Sequence, residues 1–402
     1  MKKIIFVDDE PNVADGLRRM LRPMRHEWDM SFALGGQEAL DVMANEHFDI
    51  VVSDMRMPKM DGSQFLTEVM NRYPQTVRFI LSGYAESAMV LRSVGTAHQY
   101  LSKPCDAEEL KATVERACAL RDLLANEKLR LLVTRMQSLP SMPSLYLELT
   151  QELRAEEVSL KKIGGIIAQD PAMTAKMLQM VNSAFFGLRR HVSNAEDAVN
   201  LLGVDMIMSL VFSISVFSLF ETTKLQNFSI QKYWAHSLRI GKFAKWLAKS
   251  ENQKDADLAM TAGMLHDVGK LVLASNLPES YNELLAKATA ENADPEDLER
   301  QIFGATHSEV GGYLLGLWGL PHSIVEALVF HHHPSQCASR VFEPLTAVHI
   351  ANVLDSENQR SSSTGAGGSV AEFDYEYLAM LQLTEKIPFW REQFASQSVV
   401  DE

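Results

Sequence analysis

The chain has 402 residues, more than one ordinary core at about 150 residues per domain, and the expectation is two domains. Its 38 Lys plus Arg stand against 52 Asp plus Glu, a formal net charge of −14 with His neutral, which disfavours phosphate-backbone binding, so no nucleic-acid partner is expected. The cysteines, Cys105, Cys118 and Cys337, are an odd, scattered set without CxxC spacing, which argues against a disulfide framework or a thiolate zinc site and fits a reducing cytoplasm.

In chain order, the opening MKKIIFVDDE holds too short an apolar run before its acids for a signal-peptide core. Over the first ~105 residues, short apolar runs alternate with amphipathic stretches, as in a parallel sheet covered by helices. Strands are predicted at Lys3 to Val7, Met30 to Leu34, Ile50 to Ser53, Val77 to Leu81 and Gln99 to Ser102, a doubly wound five-stranded α/β unit. From Asp106 to Met136 there is neither Pro nor Gly, and Leu110, Val114, Ala117, Leu124 and Leu131 recur at helical spacing, which predicts one long helix.

Beyond Pro140 and Pro143 helical periodicity runs to Leu354, broken at Asp170-Pro171, Gly187, Gly203, Pro278, Pro295 and Pro321, so the second domain is expected to be all-α. Asp170 before Pro171 is a predicted N-cap, and Ser193 is expected to cap the next helix. The longest apolar stretch, Ile207 to Phe220, is interrupted by Ser209, Ser213, Ser215 and Ser218 and falls short of the ~20 residues of a membrane span. It reads as a buried helix, and no membrane insertion is expected. Ser356 to Ser369, SENQRSSSTGAGGS, reads as a flexible loop, and Tyr375 to Phe394 as a helix docking back. The expected division is 1–120 for the α/β domain, 106–137 for a linker helix continuing its last helix, 138–355 for the helical domain, 356–372 for the loop and 373–402 for a terminal helical segment and tail.

Asp8 and Asp9 close the first strand and Asp54 the third, in VVSDMRMPKMDG. The carboxyl ends of strands in a doubly wound sheet form the ligand crevice, so these carboxylates converge on one pocket. Such a cluster is costly without a cation, and Mg²⁺ suits hard oxygen ligands. Ser82 ends the fourth strand in FILSGYAE and Lys103 follows the fifth in YLSKPC, offering a hydroxyl and a point charge to phosphoryl oxygens. These residues together resemble the response-regulator receiver family over residues 1–120. The resemblance implies Asp54 as phosphoacceptor, Asp9 and Asp54 as direct Mg²⁺ ligands with Asp8 mostly through water, and the Arg56 carbonyl as a further ligand. It also implies Ser82 and Lys103 as phosphoryl-binding groups, Tyr100 as the aromatic switch residue, a cis Lys103-Pro104 peptide and a cognate sensor histidine kinase.

The segments LPSMP, QDPAMTAKML, VNSAFFG and AVNLLG resemble the HDOD family in the family's own order, over Leu139 to Leu354. Further on come His236 in YWAHSLR, His266 and Asp267 in MLHDVGKLVL, His307 in THSEVGG, and His331, His332 and His333 in FHHHP. The adjacent His266-Asp267 pair, with imidazoles before and after it, resembles the order of the HD phosphohydrolase superfamily. In active members of that superfamily such residues hold one or two metals that activate water. The resemblance therefore implies a Fe/Mn/Zn-type site, in degraded form, at His236, His266, Asp267, His307, His331 and His332.

The chain departs from that pattern in three places. Asn352 stands where the hydrolases place their closing Asp, and Asp355, one helical turn on, offers a less well aligned substitute ligand. Lys232 stands where the HD-GYP cyclic di-GMP phosphodiesterases carry a Glu ligand, and an ammonium there repels a metal. The GYP signature is missing after His332. The expected function is thus a cytoplasmic two-component response regulator in which Asp54 controls a non-catalytic HDOD output acting on a downstream signalling protein, with pairing of two copies through the linker helix. The alternative is a metal-dependent cyclic di-GMP phosphodiesterase using His266 and Asp267.

Overall fold

The computed structural model describes residues 1–398 apart from 83–95, 104, 106, 125, 137–138, 142, 156, 183–190, 209–217, 220–227, 255 and 363–370. The expected cis peptide at Pro104, the helix after Gly83 and most of VNSAFFG lie outside the described residues.

The N-terminal unit carries β1 (Lys2–Val7), β2 (Trp28–Ala33), β3 (Ile50–Asp54), β4 (Val77–Ser82) and β5 (Gln99–Ser102), all parallel in the order β2-β1-β3-β4-β5. Every expected strand is present, its ends shifted by at most two residues. β3 and β4 are buried throughout because helices cover both faces of the sheet, which is why apolar residues follow one another in them instead of alternating, with Arg78 the buried exception inside β4. One face, with Ile5, Val51 and Ile80, packs on α2 (Gly36–Met43) and α3 (Gly62–Arg72). The other, with Ile4, Phe6, Phe79 and Leu101, packs on α1 (Pro11–Met20) and α4 (Ala107–Leu123).

The expected single linker helix is broken. α4 ends at Leu123 and α5 runs Glu127–Thr134, because the Asn126 side chain accepts hydrogen bonds from the Lys128 and Leu129 amides and opens a new helix. Leu110, Val114, Ala117 and Leu124, four of the residues that recur at helical spacing, are buried inside this chain.

The C-terminal unit is helical: α6 (Pro143–Glu152), α7 (Leu160–Ile167), α8 (Pro171–Val181), α9 (Ala195–Met208), α10 (Ile230–Ser250), α11 (Ala256–Leu265), α12 (Val268–Asn276), α13 (Pro278–Glu291), α14 (Pro295–Phe303), α15 (His307–Leu317), α16 (His322–Phe330), α17 (Pro344–Ser362), α18 (Tyr375–Met380) and α19 (Ile387–Ser398). Asp170 caps α8 as expected, accepting from the Ala172 and Met173 amides. The α9 cap is Asn194, not Ser193: its amide oxygen takes the Asp197 N–H at 2.8 Å while the Ser193 carbonyl is engaged by Thr261.

Three further expectations are corrected. Ser218–Leu219 is a short strand, β7, paired in parallel with Pro140–Ser141, β6, so the stretch from Ile207 is not one helix. Ser356 to Ser362 belongs to α17: Gln359 bonds Asp355 one turn back and Glu357 pairs with Arg391 of α19, contacts that composition does not disclose. The terminal segment docks as two helices, with a left-handed Gln382 between them (φ 59°), and buries Tyr377, Trp390 and Phe394.

One apolar cluster continues from the α4 side of the sheet into the helical unit through Leu120, Leu314, Leu317 and Trp318. Lys176 of α8 is buried beside it, its ammonium 4.7 Å from the Trp318 ring centre. Burial pushes that amine down to about 7, so the unfolded chain binds the extra proton between pH 7 and 10 and the fold gains stability as pH rises through that window. Lys176→Met is expected to raise stability by roughly 2–4 kcal/mol at pH 7. The gain over wild type shrinks toward pH 10, and urea midpoints across that range check it.

Candidate functional sites: a carboxylate pocket and a histidine cluster

At the carboxyl ends of β1, β3 and β5, Asp8 and Asp54 are buried and Asp9 half-buried. The Lys103 ammonium lies 2.7 Å from Asp8 Oδ2 and also contacts Asp54 Oδ1. Asp54 Oδ2 accepts the Arg56 amide at 2.8 Å, and Asp8 Oδ1 accepts that of Glu10 at 2.9 Å. Burial raises the Asp54 carboxyl above its ordinary range while Lys103 opposes the shift. Ser82, paired in register with Ser102, is buried at the end of β4, and the Lys103 amide donates to its carbonyl. Tyr100 is 2% exposed and packs with the α2 and α3 face. Strand order alone brings these groups together.

The second site lies in the helical unit. His236 comes from α10, His266 and Asp267 from the turn between α11 and α12, His307 from the first position of α15, and His331 and His332 from the end of α16. Asp267 has one oxygen toward each half of the cluster. Oδ2 is 3.4 Å from His266 Nε2 and 3.6 Å from His236 Nε2; Oδ1 is 3.2 Å from His307 Nε2 and 3.8 Å from His331 Nε2. The two ligand sets, His236-His266-Asp267 and Asp267-His307-His331-His332, each have their ligand atoms within 4.8 Å of one another and share this carboxylate. Among the described residues these are the groups of three or more His, Cys, Asp or Glu side chains whose ligand atoms already lie that close together.

Four imidazoles are pinned through Nδ1. His266 donates to the Gly263 carbonyl and His331 to that of Leu328, while His307 meets Glu299 Oε2 and His236 meets Asp355 Oδ2, both at 2.7 Å. A bound Nδ1 fixes the ring and turns Nε2 to the centre, the arrangement of metal-ligating histidine. His331 Nε2 is buried beside Asp267 Oδ1 without a hydrogen-bond partner, costly unless a cation takes its lone pair. This donor set fits a divalent transition metal.

Charge at the cluster is divided sharply. Burial alone would raise Asp267, but His266, Lys270 and His307 hold it well below the carboxylate range. Burial takes His266 down to about 4 and His331 and His332 well below the usual imidazole range, leaving them neutral. His307 goes the other way: burial opposes its charge, yet Glu299 and Asp267 push it up to about 9.

Sequence reasoning missed Glu299, Lys270 and Arg239. Glu299 is 1% exposed and accepts both the His307 amide and its Nδ1. Lys270 sits 2.7 Å from Asp267 Oδ2, and Arg239 binds Asp355 at 2.8 Å. The i to i+3 spacing of Asp267 and Lys270 was a readable signal; Glu299 belongs to another helix and had none. Asp355, expected as a substitute ligand, stands behind His236 instead. A cavity of about 1070 Å³ opens over the cluster, lined by Lys232, Arg239, Lys270, His333, Asn352 and Gln359 among others.

Comparison with known proteins matches each half of the chain to a domain family. Residues 4–115 match the response regulator receiver domain, and residues 139–334 match the HDOD domain. An uncharacterized protein of Treponema pallidum (strain Nichols) is 28% identical over 221 residues, 54% of this chain and 42% of that protein. The regulatory protein AtoC of Escherichia coli (strain K12) is 34% identical over 126 residues, 31% of this chain and 26% of that protein. The chain thus spans less than half the length of these curated relatives. Among solved structures, the MmoQ response regulator of Methylococcus capsulatus str. Bath is 23% identical with a TM-score of 0.49, over 63% of this chain and 98% of that one. An HDOD domain protein of Geobacter sulfurreducens is 20% identical with a TM-score of 0.42, over 71% of this chain and 95% of that one.

The cluster depends on a close backbone approach. A Cβ at Gly269, in the first turn of α12, would lie 1.9 Å from the His307 carbonyl oxygen. Gly269→Ala is expected to push α12 from α15 at a cost of about 3 kcal/mol or more. Denaturant midpoints check it, and an unchanged midpoint would contradict this packing.

Proposed function

We propose that this chain, which joins a response-regulator receiver domain to an HDOD domain, is a phosphorylation-driven signalling switch. Asp54 accepts a phosphoryl group from a sensor histidine kinase, and the HDOD domain delivers the output by binding a downstream signalling protein, not by hydrolysis. The observation that carries the receiver reading is Lys103 bridging Asp8 and Asp54, an ammonium already where phosphoryl oxygens would arrive. Asp8, Asp9, Asp54 and the Arg56 carbonyl would hold Mg²⁺, a hard cation suited to oxygen donors that would neutralise phosphoryl charge. Ser82 and Lys103 then draw toward the phosphoryl group, with Tyr100 following. Among the described residues no helix is long and apolar enough to cross a membrane, and cytoplasmic residence is part of the proposal.

In the HDOD domain, His236, His266, Asp267, His307, His331 and His332 would hold a metal of the Fe/Mn/Zn class, which supplies Lewis acidity when bound. The reading against hydrolysis rests on charge: Lys270 engages Asp267, Lys232 lines the cavity, and Asn352 contributes no anion. A second reading, an HD-type metal-dependent phosphodiesterase acting on a cyclic dinucleotide, is favoured by the cavity that opens directly over a shared Asp267.

Asp54→Asn is expected to abolish acyl-phosphate formation with acetyl phosphate and Mg²⁺, read by intact mass; an adduct at the wild-type level moves the acceptor elsewhere. At the second site, wild type is expected to retain Mn²⁺ or Fe²⁺ that Asp267→Ala loses, without turning over cyclic di-GMP. Metal-dependent turnover lost in Asp267→Ala and enhanced in Asn352→Asp would replace the first reading with the second.

A further inference from the structure

β4 and β5 carry the phosphoryl-site residues Ser82 and Lys103 at or just beyond one end, and Arg78 and Gln99 each four residues back. At ~3.3 Å per residue that spans about 13 Å of rigid strand. Both back residues touch the helical half of the chain. Arg78, 1% exposed, donates from Nη2 to the Thr134 carbonyl at the end of α5 (2.8 Å), and the His98 ring lies 2.9 Å from the same oxygen. Thr134 Oγ1 is 3.3 Å from the Tyr313 hydroxyl of α15, and Gln99 Nε2 reaches the Gly316 carbonyl of α15 at 3.4 Å. Gly316 lies so close to Leu120 of α4 that a Cβ there would meet its methyls at 2.6 Å.

The other end of α15 is His307, whose Nε2 faces Asp267 Oδ1. From His307 to Gly316 is about 14 Å of a single helix at ~1.5 Å per residue. α15 is therefore a rod with one end in the histidine cluster and the other on the strands and helix that answer to Asp54. Thr134, Tyr313, Arg78 and His98 are all buried, so the joint cannot slide without breaking hydrogen bonds in a dry interface.

We infer that α15 couples the two sites, so that phosphorylation at Asp54 and metal binding at the histidine cluster alter one another's free energy through the contacts of Gln99, Thr134 and Tyr313. This rests on the reading of the cluster as a metal centre and adds its regulation. The ligand set is already assembled while Lys103 rests on Asp54, so the docked, unphosphorylated form is the metal-competent one, and activation weakens metal binding. Linkage requires the converse: metal at the cluster opposes activation by the same factor.

The test uses the full chain with Mg²⁺ saturating the receiver, Co²⁺ as probe of the cluster through its imidazole-dependent visible absorption, and beryllofluoride as the stable phosphoryl mimic. Beryllofluoride is expected to weaken Co²⁺ binding about fivefold or more, and Co²⁺ to weaken beryllofluoride binding by the same factor. In Gln99→Ala combined with Tyr313→Phe, that factor should collapse toward one while each ligand alone binds as in wild type. Hydrogen exchange over residues 307–317 supplies a separate readout: loss of protection with beryllofluoride in wild type and none in the double variant. An absorption that Asp267→Ala does not abolish refutes the metal reading alone. Unchanged Co²⁺ affinity together with unchanged exchange over 307–317 overturns the coupling.

Discussion

A carboxylate buried in a helical core cannot stay ionised unless cations or hydrogen-bond donors surround it, and Asp267 is 2% exposed. That constraint organises the C-terminal half of the chain. Lys270 and the His307 imidazolium supply charge, His266 and His236 approach the second oxygen, and the neutral rings of His331 and His332 close the shell. Four of the rings are then oriented from behind, by the Gly263 and Leu328 carbonyls, Glu299 and Asp355. Even the His331 backbone is held, its carbonyl accepting from His349 at 2.8 Å. The packing of the helices in this half brings these groups to one point.

The same logic, with opposite charge, governs the joint between the two halves. Arg78 is a cation inside a fully buried strand, and burial pushes it down to about 9, which still leaves it charged at neutral pH. It is solvated by carbonyls of Thr76, Thr96 and Thr134, two from its own unit and one from the linker. Its neighbour His98 is driven well below the imidazole range by burial and by Arg78, so it stays neutral. A guanidinium solvated in this way demands a fixed position for the end of α5. The carboxylate pocket around Asp54 and the histidine cluster are thus built on elements that share a dry interface, not merely tethered by a flexible segment.

Much of the N-terminal half was legible because its signals are local or periodic. Apolar runs marked all five strands, and the acids at the strand ends pointed to the pocket. In the second half the histidines were legible as a set, but only by family resemblance; periodicity alone shows amphipathic helices. The errors came where a contact distant in sequence overrode composition. Ser356 to Ser362 reads as a loop yet is helical because Arg391 reaches Glu357, and the long linker breaks because Asn126 caps α5 while its amide engages the Phe303 carbonyl. Asp355 read as a spare ligand because one helical turn separates it from Asn352, whereas Arg239 and His236 bind it behind the first imidazole.

The sequence by itself determined the fold of each half, the place of Asp54 among its carboxylates, and the roster of imidazoles. The first two follow from hydrophobic period and from residues at the ends of elements, and the third from the order of motifs that resembles a known family, all of them carried along the chain. The tertiary structure decided which oxygen of Asp267 meets which ring, that Glu299 stands behind His307, and that α15 touches both the histidine cluster and the receiver strands. Such facts depend on distances between residues from eight to more than two hundred positions apart. Packing of whole helices sets those distances: the gap at Gly269 that admits the His307 carbonyl, and the contact between Gly316 and Leu120.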